Sequence, residues 1–163
     1  MPRSRIQQME RVLTFAARFL EEVREDIHRC KMDGSDTPPR IRSVHERPGH
    51  ATPEFRTLTI PIPDGYGGLS PEVLSGAIAK FAAGKRPDCL LLALEAENGD
   101  GPLLIAEARC RYGTRLFWMQ PFTWRASKLE WGEPLDGGWQ DPDGEEMILD
   151  AAFTGARTVA AGA

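Results

Sequence analysis

The sequence predicts an α+β domain, and two patterns carry that prediction. Between Ile6 and Cys30 the apolar residues recur in steps of three and four, which is the repeat of one amphipathic helix. From Cys89 onward, three strand-like runs are separated only by short glycine-bearing segments, which is typical of an antiparallel meander. The chain has 163 residues, of which 41% are apolar, so it is long enough for a single domain with its own core.

The first predicted element is one long helix over residues 4–31. Its apolar seam follows a heptad pattern formed by Ile6, Met9, Leu13, Ala16, Leu20, Val23, Ile27 and Cys30. Such a helix is roughly 40 Å long, more than a compact domain of this size needs. We therefore expect the seam either to span the whole domain or to reach a second chain, which predicts a homo-oligomer. Val12 and Phe19 broaden the stripe, which also suits packing on the molecule's own sheet.

A connector and a βαβ unit are predicted next. The connector covers residues 33–53, where four prolines break regular structure. Residues 55–62 are rich in β-branched side chains and predict a strand at an edge or an end of a sheet, because prolines follow them. Ser70 and Pro71 then begin a helix that Gly84 ends, and the next strand begins at Cys89.

The rest of the chain predicts the meander and a short C-terminal helix. Antiparallel strands are expected over residues 89–97, 102–112 and 115–125, with a fourth short strand over residues 128–133. Asp143 is expected to cap a helix that ends at residue 153. The domain therefore covers residues 1–153, and the small, polar residues 154–163 are expected to form a disordered tail.

The expected strand register predicts a functional surface. A three-residue loop over residues 99–101 would pair Asn98 with Pro102 and place the leucines of the meander on a single core face. A two-residue tip at Gly113 and Thr114 would place Arg109 opposite Trp118. The opposite face would then gather the candidate binding residues Glu95, Glu107, Arg109, Trp118 and Gln120. A one-residue slip would bury unpaired charges over the leucines, at a cost of several kcal/mol.

Two interpretations of this polar and aromatic face remain open. It resembles an interface, because arginine and tryptophan are common at the energetic centres of binding surfaces. It is also typical of the solvated side of an antiparallel sheet with cross-strand ion pairs, because such faces are common. Four tryptophans and a phenylalanine lie between residues 118 and 139, more than a solvated sheet face needs, which indicates that something, such as a protein or small-molecule partner, covers the face.

Composition and charge exclude several classes of function. The net charge is −4, and the densest charged stretch, residues 130–150, holds eight acids and no lysine or arginine, so nucleic-acid binding is not expected. No run approaches the roughly 20 apolar residues of a membrane span. The three cysteines have no metal-ligand spacing, and we expect a cytoplasmic protein without a metal or cofactor.

Three short motifs invite functional interpretations. Pro87 and Asp88, followed by Glu107 and Arg109, loosely resemble the PD-(D/E)xK pattern of metal-dependent nucleases, but arginine replaces the lysine that would help to activate water. The histidines of HERPGH are five residues apart with a proline between them, unlike the helical zinc motif HExxH. DGYGG before a helix lacks the spacing of a phosphate-binding loop, and a plain turn is expected.

Two functions from different classes follow. The first is a non-enzymatic binding or assembly module that acts as a homo-oligomer through the N-terminal helix, the polar and aromatic face, or both. The alternative is a small metal-dependent hydrolase or nuclease that uses sheet carboxylates such as Glu95 and Glu107. They differ in an observable way, because an enzyme needs a concave pocket with converging polar groups.

Overall fold

A computed structural model describes residues 4–60 and 71–153 and confirms the α+β fold. Its elements, in chain order, are α1 (Arg5–Asp33), β1 (Arg40–His45), β2 (Glu54–Thr59), α2 (Pro71–Ala82), β3 (Cys89–Asn98), β4 (Gly101–Cys110), β5 (Arg115–Arg125) and β6 (Lys128–Trp131). A helical turn at residues 150–153 follows the last strand. The DGYGG segment, the predicted helix start at Ser70 and the predicted tail lie outside the described residues.

Helix α1 is 29 residues long and confirms the predicted N-terminal helix. It begins with a capping box, in which the Ser4 hydroxyl accepts a hydrogen bond from the Gln7 amide and the Gln7 side chain accepts one from the Ser4 amide. It ends at Gly34, whose φ of 71° lets its amide bond back to the carbonyls of the last turn. Local chemistry alone therefore fixes both ends of this helix.

Six strands form one curled antiparallel sheet in the order β2-β1-β3-β4-β5-β6. Strand β2 lies at an edge of the sheet, as predicted. Strand β1 lies within residues 33–53, so the prediction of an irregular connector is wrong for residues 40–45. Arg40 and Arg42 of β1 form ion pairs with Asp26 and Glu22 of α1 (2.7 and 2.5 Å), which lets a strand rich in arginine lie beneath a helix. The two strands of the βαβ unit run parallel with β1 between them.

The meander is confirmed, but both predicted registers are wrong. Asn98 pairs with Gly101 across a two-residue loop, and the Asn98 side chain accepts the Asp100 amide at 2.9 Å. This shift of one residue places Glu107 opposite Leu92. The next connection contains four residues rather than two, so Arg109 faces Arg115 instead of Trp118. Each odd shift turns every side chain of the shifted strand to the other face, relative to the neighbouring strand.

Both faces of the sheet are buried, which explains why the shifted register is stable. On one side α1 packs against Leu91, Ala93, Leu104, Ala106 and Ala108. On the other side α2 and Leu149 pack against Ile41, Leu90 and Leu92. The single core face expected from the sequence is therefore wrong, because β3 supplies leucines to two separate cores. We call these two sides the α1 face and the α2 face.

The predicted C-terminal helix is much shorter than expected. Asp143 and Gly144 both have left-handed backbone angles, with φ of 51° and 84°, so Asp143 does not cap a helix. Within the predicted helix, residues 144–153, helical geometry is confined to residues 150–153. The segment before it crosses the α2 face, where Met147 and Leu149 are buried.

Candidate ligand-binding cleft

The five residues of the predicted site do not meet on one surface. Glu107 and Arg109 lie on the α2 face, while Glu95, Trp118 and Gln120 lie on the α1 face, in line with Leu104 and Ala106. The predicted contact between Arg109 and Trp118 is consequently wrong, and the Arg109 guanidinium lies 4.8 Å from the ring centroid of Phe153 instead. A role for any of the five in binding a partner stays a prediction.

Segments of the same chain cover the aromatic part of the predicted site. The Trp118 ring lies 5.3 Å from that of Trp139, and a Cβ on Gly138 would come within 3.2 Å of it. Gln120 donates to the carbonyl of Gly132 at 2.9 Å. The loop after β6 thus covers these side chains, so the aromatic residues pack largely against their own chain.

Glu107 and Arg109 hold the C-terminal segment on the α2 face. The Glu107 carboxylate accepts the amides of Ile148 and Leu149 at 3.1 and 2.9 Å, while Arg109 and Arg115 each bind Asp150 at 2.7 Å. Burial raises the pKa of Glu107, and the two amide bonds oppose that shift. Burial opposes ionisation of Asp150 as well, but the Arg115 hydrogen bond and other partners lower its pKa. These polar groups therefore serve the fold.

An open cleft of about 670 Å³ lies on the α1 face, at the end of the sheet where β3 begins and β4 ends. Four separate stretches of chain line it: Gln8, Arg11, Val12 and Phe15 of α1; residues 46–50 after β1; Asp88 and Cys89; and Cys110, Arg111 and Tyr112. Its volume lies within the range of small-molecule sites. The sequence positions are far apart, so only the folded chain brings these groups together.

The guanidinium groups of two arginines and two carboxylates form a connected polar network along the cleft. Arg11 binds Glu46 at 2.7 Å, and Arg111 binds Asp88 at 2.5 Å. The second oxygen of Asp88 accepts the Glu46 amide at 2.7 Å, which ties the loop after β1 to the start of β3. Each guanidinium has five donors, so these bonds orient the forks and leave further N–H groups for other acceptors.

Aromatic rings and thiols complete the cleft wall. Arg11 lies 4.9 Å from the ring centroid of Phe15, and Arg111 lies 5.2 Å from that of Tyr112, which is 61% exposed. The hydrogen bond that Arg111 donates to the Tyr112 hydroxyl, at 3.0 Å, raises the pKa of Arg111. Cys89 is buried beneath these groups, and burial raises the pKa of its thiol.

The HERPGH motif contributes to the cleft, although the sequence did not identify a cleft there. His50 and the Pro48 turn of HERPGH line the cleft, whereas His45 contacts the carbonyl of Lys85 at 3.2 Å and is not part of the lining. Arg11 and Arg111 carried no recognisable signal, because they are 100 positions apart and each resembles an ordinary surface charge.

The carboxylates of the alternative hydrolase or nuclease hypothesis do not converge. Glu95 forms an ion pair with Lys31 at 2.6 Å on the α1 face, whereas Glu107 lies on the α2 face. Within residues 4–60 and 71–153, no three or more His, Cys, Asp or Glu side chains are grouped to hold a metal ion. In the same ranges, no helix is long and apolar enough to cross a bilayer.

Comparisons with protein-family models, with curated proteins and with solved structures find no match to this chain.

Proposed function

We propose that the protein is a non-enzymatic binding module and that its cleft takes a small organic anion with an aromatic or apolar part. The observation that carries this proposal is the concentration of arginine at a concave site. Arg11, Arg47 and Arg111 line the cleft in a chain whose net charge is −4. Each forms an ion pair with a carboxylate, and the partner of Arg47, Glu54, lies outside the lining. Guanidinium forks match the geometry of carboxylate and phosphate groups.

The remaining lining supports recognition rather than catalysis. Phe15 and Tyr112 offer ring surface beside the arginines, which suits a ligand with an apolar part next to its anionic group. Among the described residues, the lining includes no serine, threonine or lysine, and its two cysteines are buried. Both of its carboxylates are already bound to arginine, so they orient the guanidinium forks.

Titration with 1-naphthyl phosphate tests the proposal, because this fluorescent probe combines an aromatic ring with a phosphate. We expect saturable binding to the native protein that weakens as salt is added, since an exposed ionic contact is screened. Arg111→Gln is expected to weaken binding by about tenfold, because a hydrogen bond to a charged group contributes roughly 1.5 kcal/mol. Neutral 1-naphthol should bind much more weakly.

Arg125→Gln provides the matched control. Arg125 is exposed at the far end of β5, so the substitution removes the same charge without touching the cleft. Circular dichroism and a thermal melt would check that both variants fold. Equal affinity of the Arg111→Gln and Arg125→Gln variants, or equal affinity for the phosphate and the naphthol, would contradict the proposal.

Self-association stays a prediction, and one observation bears on it. Most of the apolar stripe of α1, including Ala16, Leu20 and Ile27, packs against the sheet of the same chain. Ile6 and Met9, at the N-terminal end of the predicted seam, are 71% and 36% exposed. A second copy would therefore have only the first turns of α1 to contact along this seam. The cytoplasmic location likewise stays a prediction.

A further inference from the structure

Two thiols face each other beneath the proposed binding cleft. Cys89 and Cys110 are direct cross-strand partners at the junction of β3 and β4, and both are free and buried. Cross-strand partners project to the same face of a sheet, so both side chains belong to the α1-face core. Both also line the cleft.

The backbone hydrogen bonds show which kind of pair this is. The Cys110 amide donates to the carbonyl of Thr114 at 2.9 Å, toward β5, so it is not bonded to Cys89. Antiparallel pairs without direct backbone hydrogen bonds have Cα atoms about 4.5 Å apart, and their side chains lie closer together than those of hydrogen-bonded pairs. Disulfides span Cα separations of about 4.4 to 6.8 Å. The backbone is therefore already spaced for a bond between these two residues.

We infer that Cys89 and Cys110 form a reversible cross-strand disulfide when a low-molecular-weight disulfide enters the cleft. Cys110 first releases its proton to solvent and attacks the small molecule as its thiolate. The S–S bond of the small molecule breaks, and one small thiolate leaves and takes up a proton. The Cys89 thiol then loses its proton and displaces the second small thiol from Cys110. Two electrons pass from the protein to the small disulfide.

The order of attack follows from the surroundings of the two sulfurs. Cys110 Sγ accepts a hydrogen bond from the Thr114 amide at 3.3 Å, and Cys110 is followed directly by the exposed residues 111–113, so a small disulfide reaches this sulfur first. Burial raises the pKa of Cys89, so this thiol is a poor first nucleophile but stands next to the mixed disulfide once that has formed. The reaction should therefore accelerate as the pH rises.

The full chain carrying Cys30→Ser, treated with bis(2-hydroxyethyl) disulfide, tests the inference. Replacing Cys30 removes the third thiol of the chain. Cys30 lies on α1 and is only partly buried, so we expect this replacement to be tolerated. We expect both remaining thiols to resist alkylation after unfolding. A non-reducing tryptic digest should then join residues 86–109 to the dipeptide 110–111, because trypsin cleaves between the two cysteines, after Arg109. Dithiothreitol should restore both thiols.

Adding Cys89→Ser to this protein supplies the matched control. That variant can complete only the first step and should stop at a mixed disulfide on Cys110, with circular dichroism showing that it folds. Two thiols that stay fully alkylatable in the Cys30→Ser protein, or a mixed disulfide that persists on Cys110 while Cys89 is present, would overturn the inference. The result does not depend on anion binding, so it stands or fails separately from the proposed function.

Discussion

The two faces of the sheet use charged residues in different ways. On the α2 face, Glu107, Arg109 and Asp150 are largely buried, and their bonds hold the C-terminal segment of the same chain. On the α1 face, the core beneath the helix is apolar, and arginines gather at the open cleft, where Arg11 and Arg111 have side chains 35% and 43% exposed. Charge on the α2 face thus serves folding. On the α1 face, Arg40 and Arg42 bind α1, while the cleft arginines remain accessible to a ligand.

This difference supports placing the proposed binding site on the α1 face. A buried polar group that binds its own chain has its hydrogen bonds satisfied, and removing it costs stability. A half-exposed guanidinium can exchange a water for a ligand oxygen at little cost to the fold. Substitutions at the buried charged residues of the α2 face should therefore lower stability, whereas substitutions at the cleft arginines should mainly weaken ligand binding.

The largest expected effect comes from truncating the two central leucines of β3. Leu91 packs beneath α1 and Leu92 beneath α2, and both are fully buried. Leu91→Ala and Leu92→Ala should each lower the free energy of unfolding by about 2 to 5 kcal/mol, because each leaves a cavity. Urea melts measure both values. A loss below 1 kcal/mol for either variant, on the order of a surface substitution, would show that one face is not a core.

A smaller loss of stability, localised to the C-terminal segment, is expected from Glu107→Ala. The substitution leaves the buried amide of Leu149 and the part-buried amide of Ile148 without their acceptor, and an unsatisfied buried amide costs about 1 to 3 kcal/mol. Glu95→Ala is the matched control on the α1 face, where the loss of a partly exposed ion pair with Lys31 should cost about 1 kcal/mol or less. Hydrogen exchange should report faster opening of residues 147–153 in the Glu107→Ala variant only.

The next effect depends on pH. Asp150 has a lowered pKa in the folded protein, so its contribution to stability is present above its ordinary value of 3.8 and is lost as the pH falls through the lower folded value. Asp150→Asn should therefore cost about 1.5 kcal/mol near neutral pH and progressively less in acid. Chemical melts of both proteins across this range measure the difference. A pH-independent difference would contradict the ion pair with Arg109 and Arg115.

The sequence predicted elements much better than faces. The ends of α1 were predictable because the capping serine and Gly34 act locally. The sheet faces were not, because a single residue in the loop at Asp100 decides which side chains face α1. Burial of Glu107 looked costly from the sequence because no partner was evident, but its partners are amides 41 and 42 residues away in the chain.

The candidate cleft could not be predicted for the same reason. Its lining comes from four stretches of chain. One of them, the HERPGH loop, follows strand β1, which was not recognisable in a proline-rich segment with alternating arginines. The cysteines at its floor looked like ordinary buried apolar residues. Only the observed pairing of β3 with β4 shows that they are neighbours.

Amide chemical-shift mapping with 1-naphthyl phosphate tests most directly whether ligand binding belongs to the α1-face cleft. The expected result is a saturable set of shifts at Phe15, Gly49 and Tyr112, with the amides of Ile148 and Leu149 unmoved. Shifts centred on Ile148 and Leu149, or on the Trp118 surface, would place the ligand elsewhere. An unchanged spectrum at saturating probe would contradict the binding function itself.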